Sequence, residues 1–291
     1  MEMCQIKAYA KINLGLDVLG VLPNGYHEVK MIMQTVGIYD ELTLQKTSGE
    51  ICITTDSGEL PVNEDNLIYK AAKLLLDEYG VQEGVKIHLK KRIPIAAGMA
   101  GGSSDAAATL KGVNRLFGLK LTKERLKELG VKIGADVPYC VMGGTALAEG
   151  IGEKLTALTP APDCYLVVAK PDINVSTKYV YEHLDALESY EHPDIDGMVK
   201  AIVEGDLEGV TARMGNVLQD VTIPAYPVIA DLKKRMKELG AMESMMSGSG
   251  PTVFGIFSDA GVAQNAYEQI LEERVAKQVF LTSLVKGCEV E

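Results

Sequence analysis

The chain has 291 residues, 47% hydrophobic and 24% charged, which excludes a disordered chain and supplies enough apolar side chain for a sizeable core or two. A net charge of −11 argues against general nucleic-acid binding, because any anionic ligand must then be held by a local positive site rather than by the overall field. The five cysteines (Cys4, Cys52, Cys140, Cys164 and Cys288) are odd in number and lack CxxC spacing, so they read as reduced thiols; with His27, His88, His183 and His192 they form no metal-ligand pattern.

The opening segment, MEMCQIKAYAKINLGL, lacks the order of a secretory leader, and no run reaches the ~20 apolar residues of a membrane span. A cytoplasmic protein without membrane contacts is expected. Residues 6–19 alternate as a strand, Pro23-Asn24-Gly25 signals a hairpin-like return, and residues 29–35, 41–44 and 51–54 read as further strands. Leu67, Ile68, Ala71, Leu74, Leu75 and Tyr79 have helical spacing over 66–79, with Gly80 as the stop. Residues 85–90 alternate as a strand. The segment from Pro94 to Ser104 then leads into an alanine-rich helix predicted over 105–117, and Thr122 starts a short helix ending near Gly130.

In the second half, 165–169 reads as a buried strand, and Ser176-Thr177 can cap a helix running to Leu187. Helices are predicted over 194–204, 228–239 and 262–273, with strands at 242–246, 252–257 and 277–281. Strands and helices mix in both halves, so the fold class is α+β, and the Thr159-Pro160-Ala161-Pro162 break suggests two domains, 1–160 and 161–291.

Three glycines and two serines between Gly98 and Ser104 stand directly before Asp105-Ala106-Ala107-Ala108. Glycines let a ligand approach the backbone, and the first N–H groups of a helix lack internal partners, so the segment could cradle a polyphosphate. The hydroxyls of Ser103 and Ser104 could bond phosphate oxygens or help position a divalent ion. A tight turn with Ser103 or Ser104 as an ordinary N-cap explains the same residues, and neither the Walker pattern nor GxGxxG is present. Ser247-Gly248-Ser249-Gly250 is a second turn that would add amides if it packed beside the first.

Lys11 sits among small and apolar residues in Ala10-Lys11-Ile12-Asn13-Leu14, and Asp136 in Gly134-Ala135-Asp136-Val137-Pro138. Individually they fit an edge-strand lysine and a helix N-cap; together a carboxylate that accepts a hydroxyl proton and a lysine beside it suit phosphoryl transfer.

The order of these motifs, a Pro-x3-Gly-x2-Gly-Gly-Ser-Ser loop between an AKINL strand and a late Gly-Ser-Gly turn, resembles the superfamily of galactokinase, homoserine kinase, mevalonate kinase and phosphomevalonate kinase. Within it, Asn24-Gly25-Tyr26-His27, Glu64-Asp65-Asn66-Leu67-Ile68 and Gly134-Ala135-Asp136-Val137-Pro138 resemble the 4-diphosphocytidyl-2-C-methyl-D-erythritol kinase family. Ala97-Gly98-Met99-Ala100 stands where other members have more glycine and a leucine.

The resemblance implies an N-terminal ribosomal-protein-S5-like nucleotide-binding domain, a C-terminal ferredoxin-like substrate domain and an active site between them. It implies Asp136 as catalytic base with Lys11 beside it. Asn13 and Thr177 would lie near the substrate, His27 would read the cytosine edge, and Tyr26 and Tyr181 would sandwich the cytosine ring. ATP would be held by Asn66, near adenine, by Pro94, Ile95, Ala96, Ala97, Gly98, Met99, Ala100, Gly101, Gly102, Ser103 and Ser104, and by Gly248 and Ser249, with Mg2+ bridging the phosphates. The implied partner is a cytidine diphosphate-linked polyol, without nucleic acid or membrane, for a monomer or weak homodimer. Another kinase of the superfamily, acting on mevalonate, homoserine or a sugar, is the alternative. A nucleotide-binding module without catalysis and a decarboxylase of the same fold are more distant ones.

Overall fold

The computed structural model describes residues 2–287; Cys288 lies outside the described residues. A long antiparallel hairpin forms its spine. β1 (Met3–Val21) returns through a turn, closed by Leu22 N donating to Tyr26 O at 2.7 Å, into β2 (His27–Thr47). β2 is one continuous strand, where the sequence suggested two. Asp40, in the stretch between the two predicted strands, lies within β2, completely buried against a cation from another segment.

One edge of β2 pairs with β1. The other is divided between β5 (Thr145–Gly150) and β4 (Gly84–Lys90), which are extended by β6 (Lys154–Ala157) and β3 (Cys52–Thr55). β5 and β6 were not foreseen. α1 (Leu67–Glu78), α2 (Gly101–Leu116), α3 (Lys123–Val131) and α4 (Val137–Met142) share a core with this sheet, in which Ile68, Leu75, Leu110 and Leu129 meet Leu42, Leu44, Val85 and Ile87. Each large aliphatic side chain buried there contributes roughly 1.5–3 kcal/mol. Small residues bring α2 close to the sheet: a methyl on Gly112 would lie 2.7 Å from Leu44 Cδ2.

β7 (Tyr165–Lys170), β8 (Glu243–Met246), β9 (Val253–Phe257) and β10 (Gln278–Ser283) form a second sheet in the order β10-β7-β9-β8. This fourth-first-third-second antiparallel order is the ferredoxin-like arrangement expected from the resemblance. α5 (Thr177–Leu184), α6 (Ile195–Glu204), α7 (Leu207–Thr211), α8 (Gln219–Ala225) and α9 (Val228–Glu238) link β7 to β8, and α10 (Ala260–Glu273) precedes β10. α5 stops at Leu184, short of the predicted Leu187. α7 and α8 were missed because they are brief and α8 contains Pro224. Ala10, Ile12, Leu14 and Ile32 of the first sheet pack with Leu166, Val168, Phe254 and Ile256 of the second, so the two sheets share a core.

Among the described cysteines, Cys4 and Cys164 are buried, Cys140 is partly buried and Cys52 is exposed; Cys4, Cys52 and Cys164 are free thiols. No helix among the described residues is long and apolar enough to cross a membrane.

Candidate active site

The register of β1 shifts between Tyr9 and Lys11 and again between Asn13 and Gly15. Such irregularities re-aim side chains locally. Ala10, Ile12 and Leu14 enter the core between the sheets, while the alternating Lys11 and Asn13 turn to the opposite face and line a cleft. Lys11 Nζ donates to Asn13 Oδ1 at 2.8 Å and lies 3.9 Å from Asp136 Oδ2. Asp136 precedes α4, but its side chain makes no capping hydrogen bond, so its carboxylate is left facing the lysine.

The glycine segment meets β1 at two points. Lys11 N donates to Met99 O at 3.2 Å, and Ser104 Oγ donates to Tyr9 O at 2.6 Å. α2 begins at Gly101, four residues before its predicted start at Asp105. Ala100 takes a left-handed conformation (φ 55°, ψ 32°), and Ser104 N then donates to Ala100 O at 2.8 Å. Gly101, Gly102 and Ser103 therefore occupy the first turn, where N–H groups have no partner within the helix.

Two of the predicted contacts need correction. Ser104 is buried with its hydroxyl engaged by Tyr9, and the Met99 side chain is packed in the core between the sheets. Ser104 neither caps the helix nor offers its hydroxyl to a phosphate, and Met99 can contribute only backbone. Ser103 does line the cleft, and its Oγ lies 3.9 Å from where a methyl on Gly134, two residues before Asp136, would sit.

The second glycine turn packs directly against the first. Ser247 Oγ donates to Gly98 O at 3.0 Å, and a methyl on Gly98 (φ +70°) would run into Ser247 O. Asn216 Nδ2 fixes the turn by donating to Met246 O at 2.9 Å and to Gly248 O at 2.8 Å.

One cleft of about 980 Å³ gathers every predicted site residue except Met99 and Ser104. Pro94, Ile95, Ala96, Ala97, Gly98 and Ala100 to Ser103 form one wall, and Gly248 and Ser249 adjoin them. The opposite end is built by the hairpin turn and α5. Tyr26 is 60% exposed; His27 stacks against Tyr181 with ring centroids 4.6 Å apart, and its Nε2 lies 2.8 Å from Asp185 Oδ1. Burial first, then the Asp136 carboxylate, pushes the Tyr181 phenol up to about 12. Thr177 and Ser249 share a hydroxyl hydrogen bond at 2.8 Å, so α5 reaches the Gly-Ser turn as well. Asn66 lines the cleft, but both ends of its amide are engaged: Oδ1 accepts from Ile68 N at 2.9 Å to cap α1, and Nδ2 donates to Pro61 O at 2.7 Å.

Sequence reasoning missed a charged cluster beneath the start of α2. Lys91 Nζ donates to Asp40 Oδ2 and to Asp105 Oδ2, each at 2.6 Å, with all three side chains 7% exposed or less. Burial raises the Asp105 carboxyl well above the usual carboxylate range; Lys91 opposes that shift and Asp40 reinforces it. Burial pulls the Lys91 ammonium down, yet the two carboxylates together hold it above its ordinary value. No local signal separates Lys91 from Lys90 and Arg92, which continue the charge run and are solvent-exposed at their ends.

The GHMP kinases N terminal domain family matches residues 66–144, and the GHMP kinases C terminal family matches residues 198–277. A 4-diphosphocytidyl-2-C-methyl-D-erythritol kinase of Lachnospira eligens is 57% identical over 284 residues, covering 97% of this chain and 98% of that relative. The chain belongs to the 4-diphosphocytidyl-2-C-methyl-D-erythritol kinase family. This GHMP kinase also resembles a crystal structure of 4-(cytidine 5'-diphospho)-2C-methyl-D-erythritol kinase, with a TM-score of 0.83 and 31% identity over 97% of this chain and 99% of that one. Homoserine kinase from Cytophaga hutchinsonii shares the fold, with a TM-score of 0.76 at 21% identity over 97% of this chain and 95% of that one. The protein is a small-molecule kinase with the two-part GHMP fold, and membership of a kinase family implies ATP as its co-substrate.

Proposed function

We propose that this kinase transfers the γ-phosphoryl group of ATP to the 2-hydroxyl of 4-diphosphocytidyl-2-C-methyl-D-erythritol, a step of isoprenoid precursor synthesis. The observation that carries the reading is the Lys11–Asp136 approach of 3.9 Å in the cleft that also receives the first amides of α2. Asp136 accepts the proton of the acceptor hydroxyl, and Lys11, oriented by Asn13, stabilises the negative charge that develops as phosphorus is attacked. Gly101, Gly102 and Ser103 direct unpaired N–H groups at the polyphosphate, supported by Gly98, Gly248 and Ser249, and Pro94 to Ala97 border the nucleotide. Tyr26 and Tyr181 offer aromatic faces to cytosine, His27 meets its polar edge, and Thr177 lies between the acceptor and the Gly-Ser turn.

Mg2+ would enter with the nucleotide. Among the described residues no group of three or more His, Cys, Asp or Glu could hold an ion alone. The Asp136 carboxylate and Ser103 hydroxyl suit an ion held chiefly by phosphate oxygens and water. The ion would neutralise charge on the transferring phosphate. In this reading residues 1–160 hold ATP and 161–291 complete the acceptor side, and the enzyme works in the cytoplasm as a monomer or weak homodimer.

The test is to incubate the protein with ATP, magnesium and the cytidylated substrate and to locate the new phosphate by NMR. A single new ester at the 2-hydroxyl is expected. Equal turnover of mevalonate, homoserine or sugars lacking the cytidine group would overturn the reading in favour of another kinase of the superfamily.

A further inference from the structure

Asp185 lies one residue beyond α5, four residues after Tyr181 and eight after Thr177, on the same side of the helix; Thr177, Tyr181 and His27 line the cleft, and Asp185 meets the His27 ring without lining it. Its carboxylate Oδ1 is 2.8 Å from His27 Nε2. An ionised carboxylate can only accept a hydrogen bond, so the proton of this contact resides on Nε2. A neutral imidazole with Nε2 protonated has a bare Nδ1, which can only accept. Tyr181 packs against the same ring at 4.6 Å between centroids and limits its freedom to turn over.

We infer that Asp185 is a positioning residue that selects the base of the acceptor substrate by fixing the His27 tautomer. The inference rests on the cytidylated acceptor proposed above. Cytosine presents an exocyclic amine, a donor, at the position where uracil presents a carbonyl oxygen, an acceptor. A bare Nδ1 accepts from the amine and meets the uracil oxygen lone pair to lone pair. Hydrogen-bonding sites reject the mismatched partner more strongly than shape alone does, because a polar group is left unpaired. Asp185 touches neither the reacting hydroxyl nor the phosphates in this assignment, and its effect passes through the imidazole.

The test has two arms. Nitrogen-15 NMR of the His27 ring at about pH 8, above the ordinary histidine range, should show Nε2 protonated and Nδ1 bare. The opposite tautomer would overturn the assignment without reference to any substrate. In the second arm, kcat and KM are measured with cytidine- and uridine-diphosphate forms of the acceptor. The Asn side chain of Asp185→Asn can accept or donate, so both tautomers become available. Its preference for the cytidine form should narrow by about tenfold, carried by KM, with kcat for the cytidine form within about twofold of the parent. Asp185→Glu should restore selectivity. A selective parent whose preference survives intact in Asp185→Asn overturns the role of Asp185 alone. A parent indifferent to the base overturns the cytidine reading and this assignment with it.

Discussion

Lys11 Nζ and Asp136 Oδ2 face each other at 3.9 Å, too far for a tight hydrogen bond but close enough for each charge to stabilise the other. A base of this kind keeps a lone pair for an incoming hydroxyl. Asp136→Ala is expected to lower kcat by at least ~10²-fold while the fold and ATP affinity are retained. Lys11→Met should also act on kcat, with the same thermal transition as the parent within a few degrees. Steady-state kinetics beside nucleotide titration provide the check, and near-normal turnover of Asp136→Ala would remove that carboxylate from the mechanism.

Gly98 and Ala100 should respond in opposite ways to exchange. Gly98→Ala drives a methyl into Ser247 O at a left-handed position and should cost about 1–3 kcal/mol in stability and weaken ATP binding. Ala100→Gly removes the strain of a left-handed alanine, at the cost of a freer unfolded chain, and should stabilise by up to about 1 kcal/mol. Denaturant unfolding of both variants measures the contrast.

The Lys91 cluster separates a missing cation from a missing anion. Lys91→Met leaves Asp40 and Asp105 facing each other in a dry site and should cost about 3–5 kcal/mol. Asp105→Asn leaves a one-to-one Lys91–Asp40 pair and should cost little or stabilise.

The same carboxyl gives a dependence on pH. The Asp105 pKa in the folded chain is raised by burial and by Asp40, so its stabilising contribution is complete below the unfolded-state value of ~3.9 and is lost as pH rises through the folded value. Unfolding free energy should fall over that interval in the parent, and the fall should be shallower in Asp105→Asn. Denaturant titrations at several pH values would reveal an unchanged slope if the carboxyl plays no such part.

Asn66→Ala should destabilise α1 by about 1 kcal/mol through loss of the cap on Ile68 N, measurable by thermal unfolding. The same variant separates this structural role from a contact to adenine, because ATP affinity corrected for folding should then fall as well.

Elements whose pattern follows their own periodicity were legible without coordinates. α1 is written in Ile68, Ala71, Leu75 and their neighbours, and β9 in its unbroken apolar run. Contacts between distant segments were not. The buried pairing of Asp40 with Lys91 joins segments far apart in sequence, and the start of α2 is hidden because glycine and serine have poor helix propensity. Lys11, Asp136 and the glycine loop were recognisable by their order along the chain. Ser104 was misassigned because its hydroxyl partner, Tyr9 O, is contributed by another element. Asp185 carried no mark of its own before His27 was seen against it.

The seating of Gly98 against the Ser247 turn determines what would follow from cutting the polypeptide near residue 160. The amino-terminal fragment would keep the first amides of α2 but lose the surface that braces Gly98, and Ile12 and Leu14 would be stripped of Phe254 and Ile256. Two such fragments, mixed, would have a common apolar seam to reunite them, and phosphotransfer would return only with their reassembly.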